Sequence, residues 1–148
     1  MKLTNEQATE IDYAVTARAD AIIQNKRKKY SGANDPYKNF RDAAEMAEEE
    51  TWQAVVSRTM DKFSRIKNML KQGMTKENWN DLMDNDFPDI VNYTRILAGI
   101  CKEEWFTNED IIPSQDGEWV PRGDGYSTWE KHVPYAGGGE DYDGEGTS

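Results

Sequence analysis

One cysteine and one histidine are all the chain carries of those two residues. The single thiol, Cys101, excludes an intrachain disulfide framework and fits a reducing compartment. His132 lies in a Gly- and Pro-rich stretch, so a Cys–His nucleophilic pair has no support. Thiolate activation needs a nearby base or cation, and Cys101 sits in an apolar helical context, so it reads as a small core residue. No apolar run approaches the roughly 20 residues that span a bilayer. The start, Met1-Lys-Leu-Thr-Asn-Glu6, is polar and shows no apolar core of a secretory signal. The expected location is the cytoplasm, with no membrane partner.

Basic charge is also short. Acids number 28 and bases 18, for a net charge of −10. From Phe106 onward there are ten acids and two bases, so the acidity belongs to the C-terminal region and the rest is nearly neutral. Nucleic-acid binding is disfavoured, because the phosphate backbone needs a net basic footprint. The exception is Lys26-Arg27-Lys28-Lys29. It reads either as a solvated helix end, where cations complement the macrodipole, or as an anion-facing patch.

What remains is helical pattern with clear punctuation. Thr4-Asn-Glu-Gln7 is a capping box, and Ile11, Val15, Ala19 and Ile22 follow at helical spacing, which predicts a first helix over 5–29. Ser31-Gly-Ala-Asn-Asp-Pro36 ends it. A second helix is expected over 39–71, with Phe40, Ala44, Ala47, Thr51, Val55, Met60, Phe63, Ile66 and Leu70 in one stripe and Gly73 at its C-terminal cap. Thr75 caps a short helix over 76–85. Pro88 suits the first turn of a further helix to about 104, with Ile90, Tyr93, Ile96, Leu97, Ile100 and Cys101 inward. The fold class is therefore all-α: an antiparallel bundle of about four helices over 1–105. An irregular, acidic, aromatic extension over 106–135, with room for one short hairpin, packs on the helices. The segment 136–148 has almost no apolar content and is expected to be disordered. The lean core and the five tryptophans suggest burial between subunits of a homo-oligomer.

Three groups of residues could carry chemistry. Glu45, Glu48 and Glu49 would share one face of a continuous helix, where they form either an exposed acidic surface or a set of oxygen ligands for Mg2+. Asp61, Lys62 and Arg65 place an acid and two bases on adjacent faces, as surface ion pairs or as the wall of a cleft. Asp86 and Asp89 flank Phe87-Pro88; they read as an N-cap and a carboxylate favoured by the helix N-terminus, or as metal ligands.

The runs Lys29-Tyr-Ser-Gly, Asp35-Pro-Tyr-Lys-Asn-Phe40, Asp61-Lys-Phe-Ser-Arg-Ile-Lys-Asn68 and Asp89-Ile-Val-Asn-Tyr93 resemble a phage and bacterial family, the nucleotide-modification-associated domain family. More distantly, Asp86-x-x-Asp89-x-x-x-Tyr93 is similar to the second metal motif of the all-helical MazG-like nucleoside triphosphate pyrophosphohydrolases. The resemblance covers about residues 26–100. It implies a nucleotide ligand, a Mg2+ cofactor, a host-cell cytoplasm if the chain is phage-encoded, and a site between the two long helices. In that site Asp61 and Asp89 would be catalytic, and Tyr30, Lys62, Arg65, Asn92 and Tyr93 would hold the nucleotide. Glu45, Glu48, Glu49, Asp86 and Asp89 would be the metal ligands. The chain departs from the pattern where Lys62 and Arg65 stand in place of carboxylates; such a site holds phosphate directly and Mg2+ poorly. Pro88 also interrupts the pair that should share one unbroken helix.

Three functions follow as expectations: a Mg2+-dependent pyrophosphohydrolase, a nucleotide-binding protein without turnover, and an interaction protein whose acidic aromatic tail docks on a partner such as a host protein. Convergence of acids alone favours the first. Convergence of acids with Lys62 and Arg65 favours the second. Dispersal of Glu48, Asp61 and Asp89 over separate surfaces favours the third.

Overall fold

The computed structural model describes residues 1–30, 35–107 and 115–131, with Tyr30 and Lys131 described in their backbone only. The segment 136–148, expected to be disordered, His132, and the turn residues 31–34 lie outside the described residues. The chain divides into a unit over Met1–Glu109 and one over Asp110–Ser148.

The first unit is helical: α1 (Asn5–Tyr30), α2 (Lys38–Ala47), α3 (Thr51–Gln72), α4 (Lys76–Asp81), a π turn (Leu82–Asp86) and α5 (Phe87–Trp105). The expected punctuation holds at several ends. The Thr4 hydroxyl accepts from the Gln7 N–H at 3.2 Å while the Gln7 side chain accepts from the Thr4 N–H at 3.0 Å. These two bonds satisfy donors that every helix start leaves open. Thr75 accepts from the Asn78 N–H at 3.1 Å and starts α4, and Gly73 (φ 96°) follows α3.

Two boundaries differ from the sequence reading. The helix expected over 39–71 is two helices. Glu48 takes a left-handed conformation (φ 53°, ψ 44°) at the end of α2. Its N–H donates to the Glu45 carbonyl at 3.2 Å, and the Glu49 N–H donates to Ala44 at 3.0 Å. This is the paired closure that glycine usually serves, and a glutamate there costs about 1 kcal/mol. The chain restarts when the Gln53 side chain accepts from the Glu50 N–H at 2.8 Å. The second difference is at Pro88. No break precedes it, and the chain stays helical from Lys76 to Trp105. Pro88 has no N–H to give the carbonyl four residues back, so a regular α-turn would leave that carbonyl unpaired. A wider turn forms instead, in which the Phe87 N–H reaches the Leu82 carbonyl. Asp86 is helical (φ −71°, ψ −46°) and caps nothing with its side chain.

The packing follows from the apolar faces. Phe40, Val55, Tyr93 and Ile100 form the core cluster, with Tyr37, Trp52, Ile96 and Leu97 against it. Pairs between α3 and α5 run in opposite order, Arg65 to Asp86, Lys62 to Asp89 and Val55 beside Ile100, so these helices are antiparallel. On the other side α1 crosses α5. Ala19 is fully buried, and its carbonyl accepts from the Asn92 side-chain amide at 2.8 Å. Only a small residue lets the two backbones approach so closely. Gly99 serves the same end opposite α2: a Cβ there would lie 1.8 Å from the Tyr37 hydroxyl. The expected stripe of α3 is only half right. Val55 is buried, but Met60, Phe63 and Leu70 are 57%, 50% and 60% exposed.

The second unit contains an antiparallel hairpin, β1 (Gly117–Pro121) and β2 (Ser127–Lys131), with Trp119 opposite Trp129 in register. The two indoles meet edge to face with centroids 5.5 Å apart, a favourable cross-strand pair. Gly123 and Gly125 take positive φ in the connecting loop.

Candidate functional site

The antiparallel contact of α3 with the π turn and α5 carries an ion-pair chain centred on one buried acid. Asp86 is fully buried. Arg65 donates from its two terminal nitrogens, one to Asp86 and one to Asp81. Lys62, one turn earlier, lies 2.9 Å from Asp89 and 3.7 Å from Asp86. That second distance is an ion pair but too long for a hydrogen bond, and the Asp86 Oδ1 has no hydrogen-bond partner among the described residues. Lys26 of α1 approaches the other oxygen of Asp89 at 3.6 Å. Three cations therefore hold Asp86 and Asp89.

Charge on this chain is locked by its neighbours. Burial opposes the Lys62 ammonium, but its hydrogen bond to Asp89 and the charges of Asp89 and Asp86 outweigh that and hold its pKa above the ordinary lysine range. Hydrogen bonds to Asp86 and Asp81 likewise raise that of Arg65. A raised basic pKa stabilises the fold fully below the unfolded value and loses that contribution as pH climbs through the folded value. The Lys62 contribution is thus intact throughout the neutral range. Thermal unfolding followed into strongly alkaline solution should show a decline in the wild type that is smaller in Lys62→Met.

Beside the ion pairs lies a cleft of about 580 Å³ including its open mouth. Its walls come from four helices: Ile23, Lys26 and Arg27 of α1, Asn39 and Phe40 of α2, Arg58 of α3, and Asp89, Asn92, Tyr93 and Ile96 of α5, with Pro36 at the edge. The guanidinium of Arg58 sits 5.5 Å over the ring of Phe40, and Phe40 meets Tyr93 edge to face at 6.0 Å. Arg58 is exposed and forms no salt bridge among the described residues. Three cations and one acid thus border an open hollow whose lining mixes apolar and polar groups.

Of the residues singled out from sequence, Lys62 and Arg65 meet Asp86 and Asp89 across facing helices, while Asp89, Asn92 and Tyr93 line the cleft and Lys62, Arg65 and Asp86 are not among its lining residues. Asn92 is buried and serves structure first, through Ala19 and through Arg95 at 3.3 Å. Asp61 is not among them: it is exposed, turned about 100° around the helix from Lys62, and forms no ion pair among the described residues. Glu45, Glu48 and Glu49 do not share a helical face, because α2 ends at Ala47 and Glu48 occupies the left-handed cap. Among the described residues no three Asp, Glu, His or Cys side chains gather as a metal site would require. The side chain of Tyr30 lies outside the described residues. The residue missed is Arg58 as a cleft wall; Asn39 and Phe40 belong to the run over 35–40 that carries the resemblance. Arg58 lies four before Lys62, on the same face of α3, and that spacing was the available signal. Lys26 and Arg27 belong to the cluster for which an anion-facing role stood open.

Comparisons with protein-family models, with curated proteins and with solved structures find no match.

Proposed function

We propose that the cleft binds a nucleotide or similar phosphate-bearing small molecule, without turnover. One observation carries this reading: Lys26, Arg27 and Arg58 converge on one hollow that holds a single acid, in a helical region that is otherwise nearly neutral. Cations gathered at a concave surface favour an anion. Arg58 offers a planar fork to phosphate oxygens, and Lys26 a point charge. Ile23, Phe40 and Ile96 offer apolar surface to a base. The rim of Asp89 and the amide of Asn39 are placed to hydrogen-bond polar edges of the ligand.

The acids near the cleft suit this reading better than metal chemistry. Asp86 and Asp89 are already neutralised by Arg65, Lys62 and Lys26. Mg2+ is usually held by one or two free carboxylates together with the phosphates of its ligand, and the acids here already face cations. No catalytic step is therefore assigned.

Calorimetry tests the reading. Nucleoside mono-, di- and triphosphates, and the corresponding nucleosides, are titrated into the protein with and without Mg2+. Phosphate-bearing ligands should bind in either condition, and nucleosides much more weakly. Arg58→Ala should weaken binding about tenfold to a hundredfold, the worth of a charge-assisted hydrogen bond, with an unchanged Tm. The absence of binding by the wild type to every nucleotide tried would falsify the proposal.

A further inference from the structure

The apolar residues on the open side of α3 have a symmetry of their own. Val56, Met60, Phe63 and Leu70 are 36%, 57%, 50% and 60% exposed, and Ile66 is half-buried beside them. Scattered exposed apolar residues are ordinary, but a continuous stripe along a helix is not. Counted from Phe63, the others stand seven and three residues before it and three and seven after it. At 100° per residue all five fall within about 60° of Phe63, in mirrored positions. A two-fold contact requires this property, because the same patch must meet itself with residue i on j and j on i.

We propose that α3 pairs with α3 of a second copy of this chain, antiparallel, about a two-fold axis through Phe63. Phe63 then meets its counterpart, Val56 meets Leu70, and Met60 meets Ile66. Charge selects the direction. Lys67 lies within the stripe and Lys71 at its edge, and the described stripe holds no acid. A parallel pair would stack each lysine on its copy. The antiparallel pair separates the two Lys67 residues by about 12 Å along the axis and sets each opposite Thr59. The contact runs about 21 Å from Val56 to Leu70. That length reaches the low end of specific interfaces, about 1,000 Å² in total, so a concentration-dependent dimer is expected. Arg58 lies about 140° around the helix from Phe63, so pairing leaves the cleft open.

Sedimentation velocity from low micromolar to high micromolar concentration, on the full chain, reads the equilibrium. The wild type should shift from monomer to dimer, and Phe63→Glu should stay monomeric with an unchanged helical spectrum, since that side chain already faces water. Disulfide trapping fixes the geometry, in a Cys101→Ala background. Phe63→Cys should cross-link to itself. Val56→Cys and Leu70→Cys should cross-link when mixed and not alone, and Asp61→Cys, on the far side of the helix, should not cross-link. A wild type that stays monomeric, a dimer indifferent to Phe63→Glu, or cross-linking of Val56→Cys alone would overturn the proposal. If Phe63→Glu perturbs folding, the trapping pattern decides.

Discussion

Arg65→Met should lower the stability of the helical unit by about 3 kcal/mol, although Arg65 itself is partly exposed. The loss comes from its partner. Asp86 is fully buried, its Oδ1 has no hydrogen bond, and Arg65 is the donor to its other oxygen. Removing that donor leaves a buried carboxylate facing only Lys62, 3.7 Å away. Truncating one member of a buried pair is far more harmful than replacing both, because the stranded charge keeps its full desolvation penalty. The double variant Arg65→Met with Asp86→Leu should therefore recover more than half of the loss. Arg65→Lys should fall between, since one ammonium cannot fork to both Asp81 and Asp86. Denaturant unfolding of the three variants measures this. A loss under 1 kcal/mol in Arg65→Met, or no recovery in the double variant, would show that the buried acid does not depend on the arginine.

The other large effect belongs to the apolar core. Ile100→Ala should destabilise by about 3 kcal/mol, from lost transfer energy and the cavity left behind. Ile100 is fully buried and packs with Phe40, Val55 and Tyr93. Leu70→Ala supplies the contrast. Periodicity places Leu70 in the same inward stripe as Val55, yet it is 60% exposed, so its loss should stay within about 0.5 kcal/mol in dilute solution. Thermal unfolding of the two variants at low protein concentration, where any pairing through α3 is dissociated, separates a true core position from a surface one. Equal losses would contradict the burial of this face.

Much of the helical plan was readable, because it rests on local chemistry. Thr4 with Gln7, Thr75 and Gly73 each announce a helix end through side chains that serve open backbone groups. The division at Glu48 was not readable by the same logic. No glycine, proline or asparagine marks it, and Phe40, Ala44, Ala47, Thr51 and Val55 continue the apolar spacing across it. Only the Glu50–Gln53 pair hinted at a new start. Pro88 misled in the opposite sense, since a proline read as a beginning is accommodated inside a helical run. Within the site, helical spacing was enough to bring Lys62 and Arg65 onto Asp86 and Asp89. It could not show that Asp61, one residue from Lys62, faces water. Nor could it show that α1 and α2 close the cleft with Lys26, Asn39 and Phe40, because that requires the crossing of α1 over α5 at Ala19. Such contacts link residues far apart in sequence, and a periodic pattern within one helix carries no record of its partner.

The π turn at Leu82–Asp86 gives the chain an unequal tolerance to changes in length. A helix is a rotary ruler: one residue added or lost turns everything beyond it by about 100°. The wide turn already contains one residue more than a regular turn would hold, and Asp86 stands at its end. A one-residue deletion there would relax the wide turn to a regular one and keep Asp89, Asn92 and Tyr93 in phase with Lys62, Ala19 and Phe40, whereas an insertion would swing them away by about 100°. The same deletion between α2 and α3, where Glu48 already leaves the helical path, would be absorbed by the joint. Changes of either sign should therefore be tolerated at 48–50, while between 82 and 86 a loss should be tolerated and a gain should not, because the phase of the whole last helix is set there.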